Sequence, residues 1–97
     1  MREAVVYSRP GCHLCDRAEE IVRAIARDYP MAVRRANVDD DPTLAARYGD
    51  TVPVVAIDGR VLAAGRVSEY RLRKALGVPP TPRALFGLVR SALEPPG

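Results

Sequence analysis

The 97 residues contain only two cysteines, one histidine, one phenylalanine and no tryptophan. Two cysteines three positions apart, Cys12 and Cys15, do not make the disulfide framework on which many small secreted domains rely. A tetrahedral zinc site needs four ligands, and His13 is the sole histidine available to join the two thiols. No apolar run approaches the ~18 residues that span a bilayer. The opening stretch "MREAVVYS" lacks the long apolar region and small-residue cleavage site of a signal peptide, so a cytoplasmic protein away from membranes is expected. Aromatics make up 5%, and the net charge of +3 comes from basic residues scattered among acids, with Arg34-Arg35 the densest pair. Without a basic patch or interleaved aromatics, nucleic-acid binding is not expected. There is no internal repeat and no low-complexity tract.

What is present has the balance of one globular domain: 47% hydrophobic and 28% charged residues. Ala4 to Tyr7 is a short β-branched run that stops at the breaker string Ser8-Arg9-Pro10-Gly11, and it reads as a buried strand. Leu14, Ala18, Ile21, Val22 and Ile25 then recur at offsets of three and four, the inward face of a helix running to about Asp28. Pro30 blocks its continuation. Met31 to Val38 follows as a second strand, and one helix between two strands implies parallel pairing. Asp41 is placed to cap a helix that opens with Pro42, turns Leu44, Ala45 and Tyr48 inward and ends at Gly49. Pro53 to Ile57, Asp58-Gly59 and Val61 to Ala64 form a hairpin. Ser68 caps a further helix closed by Gly77. The order is βαβ, α, ββ, α, which defines an α/β domain over residues 1–77. Residues 78–97 read as a proline-rich linker and an extra C-terminal helix that packs on the domain.

Both cysteines fall at the end of the first strand and in the first turn of the first helix. Residues three apart on a helix share a face, so the two sulfurs can approach bonding distance. Cys12 meets free backbone N–H groups and the positive end of the helix dipole, which favour the thiolate, and the thiolate is the nucleophile. Arg9 lies three residues ahead and can add positive charge, and two readings of His13 stay open: a protonated imidazole that stabilises the thiolate, or an exposed spacer with little electronic effect. Cys12 then attacks a disulfide and Cys15, one turn deeper, resolves the mixed disulfide. Three other readings of the thiols remain open here: a zinc site completed by carboxylates or a second subunit, an iron–sulfur cluster shared across a dimer, and two inert core cysteines.

At this point the chain resembles a glutaredoxin-like member of the thioredoxin-fold family. The likeness rests on "YSRPGCHLC", on Thr51-Val52-Pro53 before the third strand, and on the hairpin "VVAIDGRVLAAG". It implies a four-stranded mixed sheet flanked by helices and a cis peptide bond at Pro53. It also implies an extended, exposed Val52 backbone able to pair with a substrate's main chain. Thr51, Val52 and Arg9 match positions that hold the tripeptide in glutathione-using relatives. Those relatives follow the hairpin with Gly-Gly-x-Asp-Asp, where this chain has "AAGRVSE" and no acid at the corresponding positions.

The expected function is thiol–disulfide oxidoreduction, with Cys12 and Cys15 catalytic and Arg9, His13, Thr51, Val52 and Pro53 shaping the substrate site. No resident cofactor or metal is expected, and glutathione is a candidate co-substrate. The partners would be a disulfide-containing protein or small thiol and a reductant, either glutathione or a thioredoxin-type reductase, acting on a monomer. The alternatives are a non-catalytic interaction module of the same fold and a metal or iron–sulfur carrier.

Overall fold

The computed structural model describes residues 2–78. Its elements are β1 (Arg2–Ser8), α1 (His13–Asp28), β2 (Met31–Asn37), a 3₁₀ turn (Val38–Asp40), α2 (Pro42–Tyr48), β3 (Val54–Ile57), β4 (Arg60–Ala64) and α3 (Glu69–Leu76). They follow the expected order. The strands form one sheet in the order β2-β1-β3-β4. β1 pairs parallel with β2, as a strand–helix–strand unit requires, and antiparallel with β3, which pairs antiparallel with β4. The expected linker and closing helix lie, apart from Val78, outside the described residues.

Strand alternation divides the sheet into two faces. Ala4, Val6, Val55 and Ile57 join Ala18, Ile21, Val22 and Ile25 of α1 and Leu72 of α3 in the main core. Burying each of the valine, isoleucine and leucine side chains among them stabilises the fold by roughly 1.5–3 kcal/mol relative to exposure. Val5, Val54 and Ala56 point the other way and are also buried. On that second face Tyr7 stacks on Tyr48 of α2, ring centroids 4.7 Å apart.

The local signals end the elements as their chemistry demands. Asp41 accepts the Thr43 N–H at 2.8 Å, the cap that Pro42 at the first turn called for. Asp58 and Gly59 both take positive φ, the two-residue hairpin geometry. Gly77 closes α3 in the left-handed region. β2 stops one residue before Val38 because the Asn37 side chain accepts the Asp39 N–H at 2.9 Å and starts the 3₁₀ turn.

Three placements are not what the sequence patterns imply. Leu14 is 47% exposed, and the inward position at the start of α1 belongs to Cys15, which is fully buried. Gly49 ends α2 in right-handed conformation, so its glycine is not there for a left-handed cap. A Cβ at Gly49 would lie 2.8 Å from Nη2 of Arg9 and would also press on the Ala45 carbonyl, so close approach is the reason. Arg73, one position past Leu72 on α3, is buried. It is held by Asp28 at 2.8 Å and Glu69 at 3.3 Å, with its guanidinium 5.8 Å from the Tyr29 ring centre.

Candidate active site

The turn from β1 into α1 is built by Arg9, Pro10 and Gly11, and Gly11 supplies the positive φ of 75° that lets the chain reverse. Cys12 is the N-cap of α1: its backbone is extended and its Sγ accepts the Cys15 N–H at 3.1 Å. A cap accepts a hydrogen bond with its side chain, and here a sulfur does so. The Cys12 N–H donates to the Arg9 carbonyl at 3.4 Å and the Asp16 N–H to the Cys12 carbonyl at 3.1 Å. Cys12 and Cys15 are joined as a disulfide, with Cα atoms 5.2 Å apart, inside the usual range for such a bond. Cys12 is half-buried at the surface and Cys15 is sealed beneath it. His13 and Leu14, the two residues between them, are exposed.

The facing wall is the loop into β3. The Val52–Pro53 peptide bond is cis, Pro53 is buried, and Tyr7 pairs with Val54, so this loop runs beside the end of β1. Gly65 donates its N–H to the Thr51 carbonyl at 3.2 Å and the Pro53 carbonyl at 2.8 Å. The Thr51 N–H and hydroxyl both go to the Tyr48 carbonyl, at 2.9 and 3.2 Å. Between these anchors the Val52 N–H and C=O have no partner among the described residues. Beyond Gly65, a groove of about 200 Å³ between β4 and α3 is lined by residues that include Leu62, Ala64, Arg66, Ser68 and Arg71.

Arg9 links the two walls. Its Nε meets Asp39 at 3.1 Å and its Nη1 donates to the Gly49 carbonyl at 2.8 Å, which ties the cysteine turn to the segment ahead of Thr51. The guanidinium is largely engaged by its own chain, with Nη2 the donor left over among the described residues. His13 makes no hydrogen bond among them.

The residue missed by sequence reasoning is Arg35. Its Nε donates to the buried Ser8 hydroxyl at 2.8 Å, its Nη1 to Asp16 at 2.6 Å and its Nη2 to the Arg9 carbonyl at 3.5 Å. Glu19 lies 3.6 Å from Nη1. Arg35 therefore spans β1, β2 and α1 directly beneath the cysteine turn. The signal was present: Met31, Val33 and Arg35 alternate along one face of β2, so an arginine was due on the helix-covered side. Among the described residues no three His, Cys, Asp or Glu side chains gather as metal ligands, and no helix is long and apolar enough to cross a membrane.

A disulfide at a strand-to-helix turn, opposite a cis-proline loop, has clear relatives. An uncharacterized protein of Mycobacterium tuberculosis, Rv0508, is 33% identical over 88 residues, covering 80% of this chain and 91% of its own. A glutaredoxin-like protein of Dictyostelium discoideum is 29% identical over 72 residues, covering 68% and 67%. The X-ray structure of protein XcR50 from X. campestris superposes with a TM-score of 0.62 at 36% identity, covering 79% of this chain and 99% of that one. Residues 3–77 match the family described as the glutaredoxin-like domain (DUF836). The four-stranded sheet, the paired thiols and the match along nearly the whole described chain make this protein a member of that glutaredoxin-like family, built on the thioredoxin fold.

Proposed function

We propose that the protein is a thiol–disulfide oxidoreductase that exchanges disulfides with a protein or small thiol and reduces the disulfide of its partner. The Cys12 thiolate attacks one sulfur of the partner's disulfide, forms a mixed disulfide and expels the other sulfur as a thiolate, which takes up a proton. Cys15 loses its proton and attacks the Cys12 sulfur, closing the Cys12–Cys15 disulfide and releasing the second partner thiol. Two electrons leave the dithiol and two protons end on the reduced partner. A reductant returns the electrons by the same exchange in reverse, and glutathione or a thioredoxin-type reductase has the required chemistry.

One observation carries this reading: Cys12, a partly exposed residue, accepts a backbone N–H on its sulfur at a helix start while its mate lies buried within bonding distance. Those are the conditions under which one thiol meets a partner and the other waits. The unpaired main-chain groups of Val52 support docking of an extended partner strand across the site, with Thr51 and Pro53 fixing that loop. Nη2 of Arg9 and the arginines of the β4–α3 groove suit carboxylates, whether of glutathione or of an acidic peptide. His13 and Leu14 form the rim. The chain acts as a monomer without a resident cofactor, in a reducing cytoplasm where a dithiol is regenerated. The test is reduction of a model protein disulfide, run in parallel with glutathione and with a thioredoxin reductase system. Turnover with either supports the proposal, and turnover with neither, from a dithiol shown to be reduced at the start, overturns it.

A further inference from the structure

Arg35 does more than fill space under the site. At one end it holds the close of β1, through the Ser8 hydroxyl at 2.8 Å and the Arg9 carbonyl at 3.5 Å. That carbonyl is the same one that accepts the Cys12 N–H. At the other end it pairs with Asp16, the residue immediately after Cys15, whose own N–H bonds the Cys12 carbonyl at 3.1 Å. The guanidinium thus grips both flanks of the four residues that carry the thiols. The Arg35 side chain is 31% exposed and that of Asp16 56%, so solvent screens the pair in part.

We propose that Arg35 is the positioning residue of the redox turn and controls how readily Cys12 ionises, by neutralising the Asp16 carboxylate and fixing the Ser8–Cys12 segment. This rests on the oxidoreductase reading for its biological meaning. A bare carboxylate beside the cysteine pair disfavours a thiolate, and a cation there favours one. Asp16 and Glu19 face Arg35 from α1, and Glu19 is shared with Arg23 at 3.2 Å. Arg9 and Asp39 neutralise each other beside β1, Arg17 pairs with Glu20 on α1, and His13 is exposed. Arg35 and Asp16 form the shortest of these ion pairs.

The two partners must therefore act with opposite sign. Removing Arg35 leaves Asp16 uncompensated, and removing Asp16 leaves the cation in excess. In the reduced full chain, Arg35→Gln should raise the pH midpoint of thiolate ultraviolet absorbance by roughly half a unit to one unit, and slow iodoacetamide alkylation about three- to tenfold at a pH below the parent's midpoint. Asp16→Asn should lower the midpoint. The double variant should return close to the parent, and Arg35→Lys, which keeps the charge without the fork, should recover part of the shift. General loosening of the turn would move both single variants in the same direction. Shifts of equal sign, or a midpoint unmoved in Asp16→Asn and Arg35→Lys, overturn the proposal, and these two variants decide it should Arg35→Gln fail to fold. If the parent exchanges no disulfide but the midpoints shift as described, the oxidoreductase reading falls and the role of Arg35 stands. If the parent exchanges disulfides but the midpoints stay fixed, the role of Arg35 falls and the oxidoreductase reading stands.

Discussion

The backbone N–H of Cys15 points at the sulfur of Cys12 across 3.1 Å. In the reduced protein this donor would stabilise negative charge on the Cys12 sulfur, through a main-chain group that no substitution at position 15 except proline removes. Cys15→Ser should keep this bond and a reactive Cys12. It should accumulate a mixed disulfide with a disulfide substrate, seen by mass spectrometry as a stable adduct. Cys12→Ser should reduce disulfide exchange to background and form no adduct. An adduct on Cys15 in the Cys12→Ser variant would reverse the assigned roles.

Leu14 stands 47% exposed between the thiols and contributes nothing to the core. Leu14→Glu should leave unfolding free energy within about 0.5 kcal/mol of the parent. If the partner covers this side chain, losing about 1 kcal/mol of apolar contact raises KM roughly fivefold with kcat little changed. An unchanged KM would place the docking surface elsewhere.

Gly49 touches Arg9, and an added methyl has nowhere to go. Gly49→Ala should destabilise the fold by about 1–3 kcal/mol in urea titration, the range for overpacking. Adding Arg9→Ala should recover part of that loss, because one of the two close neighbours is gone. No recovery would assign the whole clash to the Ala45 carbonyl.

Arg73 is a buried cation whose Nη1 has no hydrogen-bond acceptor among the described residues. Its side chain is 2% exposed, whereas that of Asp28 is 45% exposed. Removing the partners should therefore cost more than removing the cation. Asp28→Asn with Glu69→Gln should destabilise by about 1–3 kcal/mol, since a sequestered charge loses both anions. Arg73→Met, an apolar side chain of similar length, should cost less than about 1 kcal/mol or stabilise slightly. The denaturation midpoints of the two variants give the comparison.

The fold was legible because its local signals agree with one another. Cap residues, the Asp58-Gly59 turn, the helical offsets from Ala18 to Ile25 and the breaker at Pro10-Gly11 all point to one order of elements. The cysteine address followed from the same signals, and the cis bond at Pro53 followed from family resemblance. The alternation of β2 put Arg35 on the helix-covered side, but the partners that Arg35 and Arg73 would take were not legible. An arginine reads as surface until its carboxylates are known: Asp16, Glu19 and Asp28 come near only through the tertiary fold, and Glu69, one helical turn before Arg73, gave no sign that the pair would be buried. Leu14 misled because periodicity alone does not record where the sheet stops. β1 ends at Ser8, so the first turn of α1 reaches past it and leaves the leucine uncovered.

α2 has no buried residue, yet its last turn receives three attachments. Tyr48 stacks on Tyr7 and takes two bonds from Thr51, and the next residue, Gly49, takes one from Arg9. Sulfur-bearing jaw and proline-bearing jaw are therefore moored to a single post. A substitution that displaced the end of α2 would shift both jaws together.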